Sequence, residues 1–216
     1  MITRELRQPP AQDIFDQRDI PVFRTSVFGS IPWFRLSRVQ YPNQFYASMG
    51  SRFTPASGQF PCVYLGESKE TTVAEVWGDR FAAHRDHGSG IYVIPRPQAE
   101  SWAYLEVKPM PDLRVCSLLD SDTRLAVGID SGSIYAPDFS IPQLWAERIA
   151  RHPLRLDGIY YRSRHTDRAC FVLWSRADDP VPLEQRLTFT PAGDFHASDE
   201  AHILAGKVGI RLSFAW

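Results

Sequence analysis

The stretch from Met49 to Trp77 carries residue types that would bind an anionic ligand containing a ring. Arg52 supplies a planar cation, Tyr64 an aromatic ring with a hydroxyl, and Glu75 a carboxylate. A guanidinium binds two phosphate oxygens at once, and a carboxylate beside a sugar stabilises positive charge that develops on the ring during bond cleavage. This stretch is therefore the first place in the chain to look for a functional pocket.

The elements that must position these residues follow from turn and capping signals. A loop is indicated at residues 55–61, PASGQFP, by its proline, glycine and serine content. The apolar run at residues 62–65 predicts a short strand that carries Tyr64. Ser68 is a residue type preferred at N-caps, which predicts a helix from Ser68 to about Phe81. Its core face is formed by Val73, Val76, Trp77 and Phe81, and Glu75 points away from that face.

Each of the three residues also has an ordinary structural interpretation. Most helix glutamates lie on solvated faces, and surface arginines are common. A strand tyrosine is often a half-buried packing residue. Spacing alone leaves both interpretations of Arg52, Tyr64 and Glu75 open.

The same stretch resembles the central motif of the RES-domain family. The usual form is Gly-Gly-Arg-Trp-Asn, a Gly-containing loop, Leu-Tyr-Leu-Ala-Glu-Ser and Ala-Leu-Ala-Glu, and here the segments read GSRF, PASGQFP, VYLGES and AEV. The family name refers to an Arg, a Glu and a Ser. The matching positions are Arg52 or the earlier Arg24, then Glu75, then Ser163.

Two further segments resemble the family in the same order. Residues 22–24, VFR, resemble its opening strand ending in arginine, and residues 157–164, DGIYYRSR, resemble its late Asp-Gly-Ile-x-Tyr-Pro-Ser strand. Together the similar segments span about Pro21 to Ser175. The departures from the pattern are Ser51 for the second Gly, Phe53 and Thr54 for Trp-Asn, and Arg162 for Pro. Serine reaches positive φ less readily than glycine, so the loop geometry differs from the usual form.

The resemblance implies an α+β single domain with mixed or antiparallel central sheets and flanking helices, similar to ADP-ribosyltransferase toxins. RES proteins consume NAD, so NAD is expected as a substrate and no cofactor is expected. They are commonly toxins of toxin–antitoxin pairs, neutralised by an antitoxin that carries a DNA-binding domain. A cognate antitoxin is therefore an expected partner.

The resemblance also implies roles for individual residues in cleaving the bond between nicotinamide and ribose. Glu75 would stabilise the oxocarbenium-like sugar, with Arg52 as its catalytic companion. Arg24 and Arg52 would clamp the diphosphate, because guanidinium groups suit it better than lysines do. Tyr64 would stack on nicotinamide, and Ser163 would bind the amide or a ribose hydroxyl.

The acceptor decides the reaction class and stays open. Water as acceptor gives a NAD glycohydrolase, phosphate gives a NAD phosphorylase, and a protein side chain gives an ADP-ribosyltransferase. A non-catalytic nucleotide-binding module is a hypothesis of a different class. The P-loop, G-x-G-x-x-G and G-x-S-x-G motifs are absent from the sequence, so it offers no support for those other routes to nucleotide binding or hydrolysis.

Composition fits one soluble domain of 216 residues. We expect an N-terminal arm at residues 1–19, a catalytic domain at 20–176, and an extension at 177–216 packed on the same domain. Twenty-four Lys and Arg against 25 Asp and Glu leave no global positive field, so direct nucleic-acid binding is not expected. The aromatic-rich residues 33–45 suggest a homodimer interface.

The odd number of cysteines predicts reduced core thiols, at Cys62, Cys116 and Cys170, in a cytoplasmic protein. The N-terminus has no apolar targeting segment, and no run is long enough to span a membrane. His84 and His87 have no further ligand at metal-binding spacing, so no metal site is expected.

Periodicity predicts the remaining elements. Residues 28–47 read as an irregular aromatic loop and residues 84–90 as a turn. The other predicted strands are 20–24, 91–94, 102–107, 113–118, 158–161, 170–174 and 208–216. The strand at 170–174 is expected at the sheet centre, because it is a continuous apolar run. The other predicted helices are 120–128 and 140–152.

Overall fold

The structure, a computed structural model, describes residues 6–47, 50–88, 90–108 and 110–215. Met49, Ser89 and Trp216, which fall in predicted elements, and residues 1–5 of the predicted arm lie outside these ranges.

The strands are β1 Val22–Arg24, β2 Trp33–Arg38, β3 Cys62–Gly66, β4 Ile91–Pro95, β5 Trp102–Val107, β6 Arg114–Ser117, β7 Gly158–Arg162, β8 Ala169–Trp174, β9 Phe189–Asp194 and β10 Arg211–Ala215. The helices are α1 Gln12–Phe15, α2 Lys69–His87, α3 Arg96–Glu100, α4 Ser121–Val127, α5 Ser131–Ile134, α6 Ser140–Arg151, α7 Leu183–Arg186 and α8 Glu200–Lys207, with short 3₁₀ helices at Thr25–Phe28 and Phe195–Ala197.

A large mixed sheet organises the fold, in the order β1-β6-β7-β8-β3-β2-β5-β9. Strands β6 and β7 pair in parallel, and the other neighbours in this sheet are antiparallel. A second, two-stranded sheet joins β4 and β10 in parallel. Helices flank the sheets, so the predicted α+β class is confirmed.

Strand β8 is buried along its whole length, as its apolar sequence predicts. Side chains alternate across a strand, and those of Cys170, Val172 and Trp174 enter a core shared with Trp145 of α6. Those of Phe171 and Leu173 enter a second core on the opposite face of the sheet. The prediction that this run lies near the sheet centre is therefore confirmed.

Helix α2 begins as predicted, because the Ser68 hydroxyl accepts a hydrogen bond from the Thr71 amide at 3.1 Å. Trp77 and Phe81 are fully buried, in a third core that α2 shares with β2, β5 and α8. The helix runs on to His87, so the prediction of a turn from residue 84 is wrong for 84–87. No proline or glycine interrupts the chain between Phe81 and His87, and the helix continues until Gly88.

The aromatic-rich segment contains a missed strand, β2, which lies between β3 and β5. Trp33 and Phe45 are almost fully buried, so the expectation that these two side chains are exposed is wrong, whereas Val39 and Tyr41 between them are exposed. The homodimer itself stays a prediction. Strand β2 escaped prediction because Arg35 and Arg38 break its apolar run, although Arg35 is itself buried.

Both chain ends pack on this architecture. In the predicted N-terminal arm, Phe15 is fully buried, and the Arg7 carbonyl accepts a hydrogen bond from the Trp145 indole at 2.9 Å. In the predicted C-terminal extension, β9 forms one edge of the large sheet and α8 contacts α2. Among the described residues, no helix has the length and apolar character needed to cross a bilayer.

Candidate functional site

A cavity of about 470 Å³ lies between α2, the strands β2 and β3, and the loop that carries Arg52. Its size is in the range of small-molecule sites. Its walls combine aromatic rings with charged groups, which are Arg35, Arg38, Tyr41, Tyr46, Arg52, Tyr64, Glu75, Asp79, Trp102, Phe139, Arg164 and His165. We call this cavity the main pocket.

Glu75 projects from α2 into the main pocket and is held by two hydroxyl donors. Ser163 Oγ donates to Glu75 Oε1 at 2.7 Å, and the Tyr161 hydroxyl donates to Oε2 at 3.0 Å. Burial and the Glu75 carboxylate raise the pKa of Tyr161 well above its usual value, so this phenol stays protonated as a donor. The carboxylate is thus fixed in orientation by strand β7 and the turn after it.

Ser163 is buried and its hydroxyl is fully engaged. Besides donating to Glu75, its Oγ accepts hydrogen bonds from the amides of His165 at 3.2 Å and Thr166 at 3.4 Å. Those amides belong to the turn that brings the chain into β8. Ser163 is not among the residues that line the main pocket, so its geometry suits a residue that orients Glu75.

Arg52 is buried, and its side chain holds unused donors. Its Nε and Nη1 have no hydrogen-bond partner among the described residues, and its guanidinium carbon lies 5.8 Å from the centre of the Phe139 ring. Burial lowers the Arg52 pKa, the Arg164 cation lowers it further, and Glu75 partly offsets both effects. Buried donors without partners are costly, so an acceptor atom at this position would stabilise the Arg52 side chain.

Hydrogen bonds to α6 and β3 anchor the loop that carries Arg52. Gln143 of α6 donates to the Ser51 carbonyl at 2.9 Å, and the Phe53 amide donates to the Tyr64 hydroxyl at 3.1 Å. Farther along, the Ser57 amide donates to Glu147 of α6 at 3.1 Å. Helix α6 and strand β3 therefore fix the loop beneath the pocket.

Tyr64 lines the main pocket, but its hydroxyl is committed to the Arg52 loop. It accepts from the Phe53 amide and also shares a hydrogen bond of 3.2 Å with Thr54 Oγ1. Burial raises the Tyr64 pKa, so the group remains a neutral phenol. Tyr64 therefore lines the main pocket and also holds the Arg52 loop in place.

The structure does not bring Arg24 to the main pocket, which corrects the expectation that it converges with Arg52 and Glu75. Arg24 ends β1 at the opposite edge of the sheet from β9, four strands from β3. Its side chain is 54% exposed and pairs with Asp112 at 2.9 Å. Among the described strands, β1 pairs with β6 alone, which makes it an edge strand and keeps Arg24 away from the main pocket.

Arg35, which our sequence analysis overlooked, lines the main pocket from β2. Its guanidinium donates to the carbonyls of Pro42 at 2.9 Å and Gln44 at 2.6 Å, so it also ties down the following loop. Burial lowers its pKa to about 10. The sequence does contain a signal for Arg35. The aromatic pair Trp33 and Phe34 directly before it forms another strand-like segment that ends in an arginine.

The turn after Ser163 contributes two further residues to the lining of the main pocket, Arg164 and His165. Arg164 is hydrogen-bonded to Asp79 of α2. The His165 ring packs against Gly78, where a β-carbon would meet it at 2.8 Å. Glycine at this helix position therefore allows the turn to approach α2 closely.

The chain matches the family model of the RES domain over residues 32–197 and belongs to that family. The match contains Arg35, Arg52, Glu75 and Ser163. It begins after Arg24, which agrees with the position of Arg24 outside the main pocket. The resemblance found in the sequence is thus confirmed for the family and corrected for its first arginine.

Two other comparisons add less. A chain of the crystal structure of the M. tuberculosis MbcT-MbcA toxin-antitoxin complex is similar, with a TM-score of 0.47 and 20% sequence identity over 78% of this chain and 90% of that chain. No curated protein matches significantly. The family assignment rests on the RES match.

Proposed function

We propose that the protein is a RES-type toxin that degrades NAD by cleaving the bond between nicotinamide and ribose. The observation that carries the proposal is the pairing, in one pocket of a RES domain, of an oriented carboxylate with a buried arginine, two of whose donor nitrogens have no partner among the described residues. NAD has a positively charged sugar–base unit and an anionic diphosphate. Glu75 suits the first and Arg52 the second.

The chemistry assigns complementary roles to these residues. The bond between C1′ and the nicotinamide nitrogen breaks with its electron pair leaving on nicotinamide, which departs neutral. Positive charge then develops on the ribose, and the Glu75 carboxylate stabilises it. Tyr161 and Ser163 hold that carboxylate in place, so little reorganisation is needed during the reaction.

Water or phosphate completes the reaction by bonding to C1′ and losing a proton to solvent. Water makes the protein a NAD glycohydrolase, and phosphate makes it a NAD phosphorylase. Either activity depletes cellular NAD. A RES toxin of this kind also has a cognate antitoxin protein as a partner, which is proposed here from family membership.

The test is to incubate purified protein with NAD, with and without phosphate, and follow nicotinamide release by chromatography. We expect release by the wild type and by Glu70→Gln, and none by Glu75→Gln. Glu70 is a matched control because it lies on the same helix but pairs with Lys207 outside the main pocket. ADP-ribose as the second product identifies a glycohydrolase, and ADP-ribose with one additional phosphate at C1′ identifies a phosphorylase.

Other outcomes would point to the alternatives. Transfer of label from NAD to a protein band would identify an ADP-ribosyltransferase that uses the same pocket. No nicotinamide release with any acceptor, with NAD still bound, would contradict the proposal and leave a nucleotide-binding module.

A further inference from the structure

Among the described residues, four arginines line the main pocket, Arg35, Arg38, Arg52 and Arg164, and two of them, Arg52 and Arg164, lie near the ring of Phe139. The guanidinium carbon of Arg164 lies 5.6 Å from the centre of the Phe139 ring, and that of Arg52 lies 5.8 Å from the same centre. The two cations reach this ring from different parts of the chain, one from the loop before β3 and one from the turn after β7. The Phe139 ring is therefore a shared neighbour of both guanidinium groups.

Two cations in a partly buried site repel each other, and a nearby anion offsets that repulsion. Asp79 supplies one, since its carboxylate is hydrogen-bonded to Arg164 and lies 3.4 Å from His165 Nε2. The Asp79 side chain is 60% exposed, so it neutralises Arg164 from the solvent side. Arg52 keeps two buried donors without a partner among the described residues.

The neighbouring Arg162 shows that the position of Arg164 is specific. Arg162 lies two residues earlier, its side chain is exposed, and it pairs with Asp167 at 3.3 Å outside the main pocket. Arg164 instead turns toward α2, with 21% of its side chain exposed. The chain thus presents Arg162 to solvent and Arg164, two residues later, to the main pocket.

We propose that Arg164 is the second anion-binding guanidinium of the main pocket, and that it exchanges Asp79 for a phosphate group of the ligand. This inference rests on the proposed function, in which the anion is the diphosphate of NAD. Arg164 then takes the role of diphosphate clamp that the family resemblance implied for Arg24. Asp79 acts as a resident competitor that keeps Arg164 in place when the pocket is empty.

Inorganic pyrophosphate tests this proposal without any catalysis. Its affinity would be measured by calorimetry for the wild type, Arg164→Gln and the control Arg162→Gln. We expect Arg164→Gln to weaken binding roughly ten- to a hundredfold, the usual effect of one charge-assisted contact. We expect Arg162→Gln to bind like the wild type. Equal affinities for all three proteins, or no binding by the wild type, would overturn the proposal.

Asp79 provides a second test in the opposite direction. Removing the competitor in Asp79→Asn should tighten pyrophosphate binding about two- to fivefold, because Arg164 no longer gives up an ion pair. The gain should vanish when Arg164→Gln is added, which a double-mutant cycle would show. Arg164→Lys should recover part of the affinity, since it restores charge but not the fork. A gain in Asp79→Asn that persists without Arg164 would overturn the exchange.

These measurements separate this inference from the proposed function. If Arg164→Gln weakens pyrophosphate binding but wild type releases no nicotinamide, the anion site stands and NAD cleavage fails. If NAD is cleaved and Arg164→Gln leaves both pyrophosphate affinity and the KM for NAD unchanged, the second guanidinium fails and NAD cleavage stands.

Discussion

The main pocket and a second cavity beside it contain similar charged residues but use them differently. The second cavity, of about 600 Å³, lies between the start of α2 and α8 and is lined by Glu67, Ser68, Glu70, His165, Thr166, Arg168, Leu204, Lys207 and Val208. We call it the α2–α8 cavity. There Glu67 pairs with Arg168 at 3.2 Å, and Glu70 with Lys207 at 2.6 Å.

The difference lies in pairing and burial. The charges of the α2–α8 cavity neutralise one another within the protein, and their exposed ion pairs contribute little free energy. In the main pocket, Arg52 is buried with donors that no described residue uses, and Glu75 is oriented by two hydroxyl groups. A buried charge with unused donors leaves interactions for a ligand, whereas paired charges do not, so this difference favours the main pocket as the proposed binding site.

The strongest test of this contrast replaces each of the two helix glutamates by glutamine and compares the rates of NAD cleavage. Glu75→Gln removes the negative charge that faces the reacting sugar, and we expect NAD cleavage to fall at least about 100-fold, as for loss of a preorganised electrostatic group. Glu70→Gln should change the rate less than about twofold, because it alters only an exposed ion pair. Initial rates of nicotinamide release measure both. Equal losses in both variants would erase the distinction between the cavities.

The arginines give the next largest effect. Arg52→Gln should weaken NAD binding roughly ten- to a hundredfold, because the site loses a charge-assisted contact. Arg168→Gln and Arg24→Gln should leave affinity within about twofold, since both side chains form exposed pairs elsewhere. Calorimetric titration of each variant with NAD provides the measurement. A loss in Arg24→Gln as large as in Arg52→Gln would return Arg24 to the site.

Gly78 tests how closely the turn after Ser163 must approach α2. In Gly78→Ala the new β-carbon would lie 2.8 Å from the His165 ring, so we expect destabilisation of about 1–3 kcal/mol from overpacking. Displacing the turn should also lower the rate of NAD cleavage, because Ser163 orients Glu75.

Gly206 in α8 is the matched control, since no described atom lies within 4 Å of the β-carbon position. Gly206→Ala should stabilise the protein by about 0.5–1 kcal/mol through helix propensity. Urea denaturation of both variants checks the two signs. Stabilisation of Gly78→Ala would show that the His165 ring moves away without cost.

The smallest expected effect is a pH dependence from His165, which borders both cavities. Burial lowers its pKa below the usual 6.5, and Arg164 and Arg52 act in the same direction, against the opposing effects of Asp79 and Glu75. The ion pair with Asp79 would by itself raise the pKa, but that carboxylate is exposed and already bonded to Arg164, so burial dominates.

The sign of the effect follows from linkage. As pH falls through 6.5, the unfolded chain binds a proton at His165 before the folded chain does, so stability is lost below this pH and retained above it. The decline in unfolding free energy between pH 7.5 and 5.5 should therefore be smaller in His165→Gln than in the wild type. Parallel urea titrations at both pH values test this. An unchanged or steeper decline would contradict it.

Local signals predicted much of the framework. Ser68 caps the start of α2, and Asp120 caps the start of α4. Gly128 ends α4 at φ 76°, the left-handed conformation that favours glycine after a helix. The continuous apolar run of β8 predicted a central strand correctly. These features depend on residues close together in sequence, which is why periodicity and capping reveal them.

Long-range contacts limited the prediction of the site. Strand β2 was missed because Arg35 looks solvent-exposed in sequence, whereas the fold buries it and satisfies two of its donors with loop carbonyls. Arg24 was favoured because it ends a strand, as the motif requires, but sheet order places that strand at an edge. Neither outcome follows from local propensity.

The sequence by itself determined the RES family, the helix that carries Glu75, and the arginine loop before β3, because these are contiguous motifs with strong local signals. Only the tertiary structure decided which arginines share the pocket with that glutamate. Sheet order and the turn after β7 bring Arg35 and Arg164 toward Arg52 and leave Arg24 at an edge. The physical reason is that convergence depends on packing between elements distant in sequence, and burial then determines which charges remain available to a ligand.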